Sequence, residues 1–245
     1  MSIYVIGDLH LSFNENKPMD IFGDNWRGHE EKIKNNWIEK VTDNDLIILP
    51  GDFSWSMKLE DTIKDFEYIN NLPGKKLMLK GNHDYWWNTV TKMKKFLEDN
   101  NFKNIDFIFN EGFVSENYII SGTRGWNLEE EAHDEKVLNR ELARLEASIQ
   151  SGLRKAEHEI ELENSEAKAE KEIIVFMHYP PITNAKIVNK EQAKFVEIMK
   201  KYNVKKCFYG HLHGISIRDA FEGEFEGIQF KLVSADALNF ELYKI

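Results

Sequence analysis

Residues 77–84 read Leu77-Met78-Leu79-Lys80-Gly81-Asn82-His83-Asp84. A short apolar run ends at a glycine and hands over to side chains of metal-ligand type. Such a run, bounded by turn residues, reads as a buried strand. The pattern recurs. Tyr4-Val5-Ile6-Gly7 leads into Asp8-Leu9-His10, and Leu46–Leu49, Pro50 and Gly51 lead into Asp52. Ile173–Met177 leads into His178, and Cys207-Phe208-Tyr209-Gly210 leads into His211-Leu212-His213. Four of the five runs carry a glycine at the switch, where the backbone can turn sharply. In open α/β sheets, binding residues collect outside the C-terminal ends of strands, so strands sharing one sheet would bring these side chains to one spot. A lone Gly-Asp or Asp-x-His is weak. At about 5% usage per residue, Gly81-Asn82-His83-Asp84 arises by chance roughly once in a thousand chains of this length.

Between the runs lie helical patterns. One spans about His29 to Val41 with Ile33, Trp37 and Val41 on one face, and a second carries Leu59, Ile63, Phe66 and Ile69. A third starts near Asn88 with Val90, Met93 and Phe96/Leu97. A later one has a capping box of Asn189 and Gln192 over a stripe of Phe195, Ile198, Met199 and Tyr202. Further strand expectations are Phe107–Phe109, Tyr118–Ile120, Ile215–Ile217, Gln229–Val233 and Phe240–Tyr243, with a hairpin near Glu222–Gly227. Strand–helix alternation followed by clustered strands predicts an α/β or mixed layered fold.

Residues 128–172 break the rhythm: acidic and rich in Ala, Glu and Lys. Leu138, Leu142, Leu145, Ile149 and Leu153 form one helical stripe. A helix over Glu129–Ile160 would be roughly 48 Å long. That exceeds an ordinary crossover, so the stretch is expected to be a helical insertion within a single domain spanning 1–245. It would either cover its own body or serve as a lid or homodimer contact.

The chain has 245 residues, with 32 Lys and Arg against 42 Asp and Glu, a formal net charge of −10. That balance argues against gripping nucleic acid by bulk charge. The single cysteine, Cys207, excludes an internal disulfide framework, fits a reducing, cytoplasmic setting and reads as buried filler. No apolar run approaches the ~20 residues of a membrane span, so no membrane association is expected. The candidate ligands are Asp8, His10, Asp52, Asn82, His178, His211 and His213. Seven donors are too many for one tetrahedral zinc, and they suit two divalent ions about 3.5–4 Å apart. Imidazole and carboxylate without thiolate fit manganese, iron, zinc or cobalt. Two such ions, less two aspartates and a hydroxide, leave about one net positive charge for a phosphate.

With those five motifs in order, the sequence resembles the calcineurin-like metallophosphoesterase superfamily from Asp8 to His213. The resemblance implies a four-layer α/β/β/α metallophosphoesterase sandwich, here with the long inserted helical arm. It implies that Asp8, His10, Asp52 and His213 hold one ion, and that Asp52, Asn82, His178 and His211 hold the other. His83 would serve the leaving-group oxygen, oriented by Asp84. The implied enzyme is a hydrolase in which a metal-bridged hydroxide cleaves a small phosphoester. The protein-phosphatase branch looks like Gly-Asp-x-Val-Asp-Arg-Gly at the second motif, whereas here Phe53-Ser54-Trp55 follows Asp52 and no Arg appears. A phosphodiesterase is therefore expected before a phosphatase. Arg124, in Ser121-Gly122-Thr123-Arg124-Gly125-Trp126, is the candidate substrate clamp, since guanidinium forks match phosphate. Trp55, Trp86, Trp87 and Trp126 are either ordinary packing or a wall that stacks a nucleobase. The competing expectation is a catalytically weak, metal-bearing scaffold that works through the helical arm.

Overall fold

The computed structural model describes residues 1–15, 17–127, 135–162, 171–183 and 190–245. In chain order the strands are β1 (Ile3–Val5), β2 (Leu46–Pro50), β3 (Lys75–Leu79), β4 (Ile105–Phe107), β5 (Phe113–Val114), β6 (Tyr118–Thr123), β7 (Glu172–Met177), β8 (Lys206–Tyr209), β9 (Gly223–Phe225), β10 (Ile228–Leu232) and β11 (Tyr243–Lys244). The helices are α1 (His29–Lys40), α2 (Ile63–Asn70), α3 (Val90–Asp99), α4 (Glu135–Leu162) and α5 (Lys190–Lys201). Together they make a mixed α/β protein with two parallel-rich sheets, the class the sequence predicted. The chain divides into two compact units, one comprising 1–107, 210–218 and 233–245, the other 108–209 and 219–232.

The first unit holds a sheet ordered β11-β1-β2-β3-β4. β1, β2, β3 and β4 run parallel, with Val5 beside Ile48 and Pro50 beside Leu79. Strands buried on both faces read as continuous apolar runs, which is why Leu46–Pro50 is buried throughout. Its core joins Ile33 and Trp37 of α1 and Phe66 and Ile69 of α2 to Met93 and Leu97 of α3, packed with Ile47, Leu49 and Met78 from the sheet. The predicted faces are buried apart from their first-turn residues in α2 and α3, since Ile63 is exposed and Val90 only partly buried. Thr89 caps α3 by accepting a hydrogen bond from Lys92 N.

The second unit holds a sheet ordered β5-β6-β7-β8-β10-β9, with β6, β7, β8 and β10 parallel and the expected hairpin joining β9 to β10. The long helix α4 lies on this sheet and forms the crossover between β6 and β7. Small residues let it come close. A Cβ on Gly152 would fall 2.4 Å from Ile119 Cγ2. Ser148 Oγ accepts from Gly122 N and donates to Glu111 O. Leu138, Leu145 and Ile149 of the predicted stripe are buried there. The stripe thus covers the helix's own sheet, the first of the two roles expected for it.

Three strand expectations shift. β4 ends at Phe107, where its register with β3 ends. Residues 215–217 lie in a 3₁₀ turn, Gly214–Asp219, because Ser216 Oγ donates to His213 O and accepts from His213 N. Of Phe240–Tyr243 only Tyr243 enters a strand, since Asn239 and Phe240 both adopt positive φ, at 54° and 63°. The cap residue Asn189 and the insertion flanks 128–134 and 163–170 lie outside the described residues.

Candidate metal centre

Four loops of the first unit converge. The segment after β1 runs beside the segment after β2: Asp8 N donates to Gly51 O at 3.0 Å, His10 N to Asp52 O at 3.0 Å, and Leu11 N to Phe53 O at 2.9 Å. The parallel ladder therefore continues past the strand ends and keeps Asp8, His10 and Asp52 in register. Gly7 N donates to Val233 O, and Ala235 N donates back to Gly7 O, which ties in the segment leading to Asp236. His211 N donates to the Asp8 carboxylate at 3.0 Å, and His83 N to Asp52 Oδ1 at 2.8 Å.

The switch glycines serve two different needs. Gly51 takes φ 96°, as the sequence argument required. Gly81 and Gly210 instead leave room: a Cβ on Gly81 would fall 2.0 Å from Asp52 Oδ1, and one on Gly210 2.4 Å from Asp8 Oδ2. The sharp turns are taken by the ligand residues themselves. Asp8, His10, Asp52 and His211 have φ of 57°, 47°, 48° and 74°. Non-glycine residues in this region cost about 1–3 kcal/mol each and collect at functional sites.

Asp8, His10 and His213 offer ligand atoms within 4.8 Å of one another. His10 Nε2 lies 3.3 Å from His213 Nε2 and 3.8 Å from Asp52 Oδ2. His211 Nδ1 lies 3.0 Å from Asn82 Oδ1. Six of the seven predicted ligands thus belong to this one unit. His178 and Arg124 belong to the other, directly after paired positions of parallel strands, since Thr123 of β6 faces Met177 of β7. Tyr179 N donates to Arg124 O at 2.9 Å. The Arg124 guanidinium stacks on Trp126 at 5.5 Å, and its Nε is buried with no hydrogen-bond partner among the described residues.

Burial first, and then the charge of Asp8, pushes the Asp52 carboxyl up to about 8. For His213, burial alone would lower the pKa. The carboxylates of Asp8 and Asp236 outweigh it and raise the imidazole to about 10. A buried Asp52 that holds its proton at neutral pH, beside imidazole nitrogens 3.3 Å apart, belongs to a donor set in which a cation would take the place of bound protons.

Asp84 has a structural task that the motif did not disclose. Its Oδ1 accepts from Phe53 N at 2.9 Å, Ser54 N at 3.3 Å and Trp86 Nε1 at 3.0 Å, and its Oδ2 accepts from Gly81 N at 2.7 Å. It binds the second and third loops into one piece. Asp236, absent from the sequence expectations, accepts from His213 Nδ1 at 2.9 Å and from Gly214 N at 2.9 Å. A carboxylate on the second ring nitrogen is the usual orienter of a metal-binding histidine. No short-range spacing marks Asp236, because it arrives 23 residues after His213. Of the four tryptophans noted, Trp55 stacks on His10 at 4.8 Å and sits 4.7 Å from His83. Trp86 is buried in the core, Trp87 packs on Phe107, and Trp126 belongs to the other unit. Trp26, not singled out by any motif, meets His10 and His213 edge-on at 5.9 and 5.6 Å. Cys207 is fully buried, and burial pushes its thiol up, as a filler residue requires.

Comparisons with known proteins agree with this geometry. Residues 1–214 match the family described as calcineurin-like phosphoesterase. A search of curated proteins found no match. Among solved structures, a Thermus thermophilus protein aligns with TM-score 0.56 and 12% identity, over all of this chain and 97% of that one. The phosphopantetheinyl hydrolase of Mycobacterium tuberculosis aligns with TM-score 0.50 and 14% identity, over all of this chain and 95% of that one. A protein of unknown function from Aquifex aeolicus aligns with TM-score 0.51 and 16% identity, covering 99% and 95%. At these identities the likeness is one of fold. The family and the donor cluster together point to divalent metal ions.

Proposed function

The chain belongs to the calcineurin-like phosphoesterase family, and from that premise we propose that it hydrolyses a small phosphodiester, in preference to a monoester, with two divalent ions. Asp8, His10, Asp52 and His213 hold one ion, and Asp52, Asn82, His178 and His211 hold the other. The observation that carries the reading is the Asp8–His10–His213 cluster with Asp52 beside it, strained in backbone and burdened with buried acid. Paired ions, when bound, activate a water near neutral pH and neutralise phosphoryl charge.

The chain's own residues do the rest. Asp84 and Asp236 hold the ligand loops and the His213 ring in place. His83, whose backbone is anchored on Asp52, supplies a proton or hydrogen bond to the departing oxygen, a role worth about 10²–10⁴-fold. Arg124 grips a phosphoryl oxygen, and its unsatisfied buried Nε supports that role. The diester preference is supported by the second-motif loop, where Trp55 covers His10 and no arginine stands. A monoester dianion asks for more cationic side chains than a diester, which carries one negative charge. The scaffold alternative has less behind it, since α4 spends its apolar stripe on its own sheet.

The test is turnover of bis-p-nitrophenyl phosphate and p-nitrophenyl phosphate with added manganese, iron or zinc. Metal-dependent, chelator-sensitive cleavage with the diester faster is expected. Silence on both substrates under every metal would overturn the reading. Arg124→Ala is expected to raise KM for both substrates, and unchanged kinetics would remove the clamp.

A further inference from the structure

Beside the ligand histidines, wholly within the first unit, is a cavity of about 300 Å³. His10, His83 and His213 form one side. The remaining wall is apolar: Met19, Phe22, Trp26, Trp55 and Ile215, with Gly214 at the edge. At about 30 Å³ for each water-sized group, the space takes on the order of ten heavy atoms. Two lining side chains are far more exposed than burial of the core requires, Phe22 at 62% and Ile215 at 74%. Ile21, beside Phe22, is 73% exposed. Exposed apolar residues gathered at the mouth of a cavity mark a binding surface more often than scattered ones do.

Several polar groups around this cavity are already committed. Trp55 Nε1 donates to Met19 Sδ at 3.1 Å. Gly214 N donates to Asp236 and His213 N to Ser216 Oγ, each at 2.9 Å. A nucleobase or sugar entering here would find aromatic faces but few free donors for its polar edge, and stranding polar atoms is costly. A flat apolar group has no such cost and gains the packing of two indoles. His83 lines the same space, and it is the residue assigned above to the departing oxygen.

We propose that this cavity receives the leaving arm of the ester, and that the arm is apolar and aromatic, one or two rings in size. The proposal rests on the phosphoesterase reading and names its substrate class. Trp26 and Trp55 then act twice, fixing the histidine rings and forming the walls of the leaving-group pocket. Phe22 and Ile215 touch only the leaving arm and set the preference.

The experiment uses manganese-loaded protein and three methyl phosphodiesters with phenols of similar acidity: 2-naphthyl, phenyl and 4-(hydroxymethyl)phenyl. The expected kcat/KM for the naphthyl ester exceeds that for the phenyl ester by tenfold or more, and the hydroxymethyl ester is the poorest. In Phe22→Ser and Ile215→Ser the naphthyl-to-phenyl ratio falls towards one. A binding arm uses methyl 2-naphthylphosphonate, whose P–C bond keeps the naphthyl arm from leaving, followed by tryptophan fluorescence with and without metal. It is expected to bind at least tenfold tighter than methyl methylphosphonate, and to lose that advantage in both variants. Turnover of all three esters without naphthyl preference, or a preference and phosphonate affinity untouched by both substitutions, would overturn the pocket assignment alone. Failure to turn over any of them would overturn the phosphoesterase reading and this proposal with it.

Discussion

Gly81→Ala is the smallest change that should dismantle the centre. The new Cβ would stand 2.2 Å from the backbone nitrogen of Asp52 and 2.0 Å from its Oδ1. Real Cβ contacts essentially never fall under 3.0 Å, so the Asp52 backbone must retreat by about 0.8 Å, the difference between 3.0 and 2.2. A carboxylate could rotate away, but a backbone nitrogen cannot. Retreat stretches the bonds from His83 N to Asp52 Oδ1 and from His10 N to Asp52 O, which set the register of three ligand loops. Overpacking of this kind costs typically 1–3 kcal/mol, and a backbone neighbour places it near 3. At about 2–4 °C per kcal/mol for a chain of this size, Tm should drop by about 6–12 °C. Metal retained after desalting, read by elemental analysis, should fall below that of the native chain. Gly28→Ala is the control. Gly28, unlike Gly81, has positive φ, 63°, and its Cβ would meet nothing within 4 Å. It should cost only the ~1–2 kcal/mol of a left-handed residue and leave metal content intact. A Gly81→Ala protein that keeps full metal and melts within 2 °C of native would refute the close-approach argument.

Asp236→Ala removes the acceptor from His213 Nδ1, and metal affinity by calorimetric titration should fall about 10–100-fold with little change in fold. Metal loading at pH 7 should release about two protons, because Asp52 at about 8 and His213 at about 10 both hold protons in the metal-free state and must lose them to bind. Titrations in buffers of different ionisation enthalpy count them, and a value of zero would contradict both shifts. Lys76 lies buried within β3, donating to Leu72 O, and burial lowers its ammonium to about 7. The unfolded lysine, at 10.5, holds more protons than the folded one between those values. Its penalty is therefore full below pH 7 and is relieved by up to about 1.4 kcal/mol per pH unit as pH rises towards 10.5. Lys76→Met should be more stable than the native chain at pH 7, with the gap closing by pH 10 in urea denaturation. A gap that does not change with pH would show that burial leaves the Lys76 ammonium at its ordinary pKa, against the shift argued here.

The sequence disclosed most where one residue type answers one local need. Apolar runs such as Leu46–Pro50 are legible because a parallel strand is buried on both faces, and the polar residue after each run is legible because the strand ends there. It disclosed least where a partner arrives from far along the chain. Asp236 meets His213 across 23 residues, and Trp26 reaches the ligand histidines from a stretch with no motif of its own. The stripe on α4 was legible as a helix face. Its destination was not, because the cue lies in Ser148 and Gly152, which only mean close approach once β6 is beside them. The motif glycines were legible as necessary but not for what. Gly51 bends the chain, whereas Gly81 and Gly210 make space for carboxylates.

That distinction bears on why the centre is built at a cost. Asp8, His10, Asp52 and His211 could each sit in relaxed backbone if the loops were longer. Held short, they aim their side chains inward from consecutive or alternate positions, and the ladder between the first two loops leaves them no second arrangement. Four left-handed residues at about 1–3 kcal/mol each, together with a buried acid pair, amount to a large part of the 5–15 kcal/mol by which domains are stable. The first unit carries this load through an aromatic core in which Phe66 touches Phe53, Trp86, Phe96 and Phe102. Phe53 and Trp86 also deliver the two donors that Asp84 receives from the core side of the site. The packing that stabilises the unit and the hydrogen bonds that position its ligands therefore run through the same residues. A core substitution such as Phe66→Leu should then loosen metal binding as well as lower Tm, although Phe66 lies outside the ligand set.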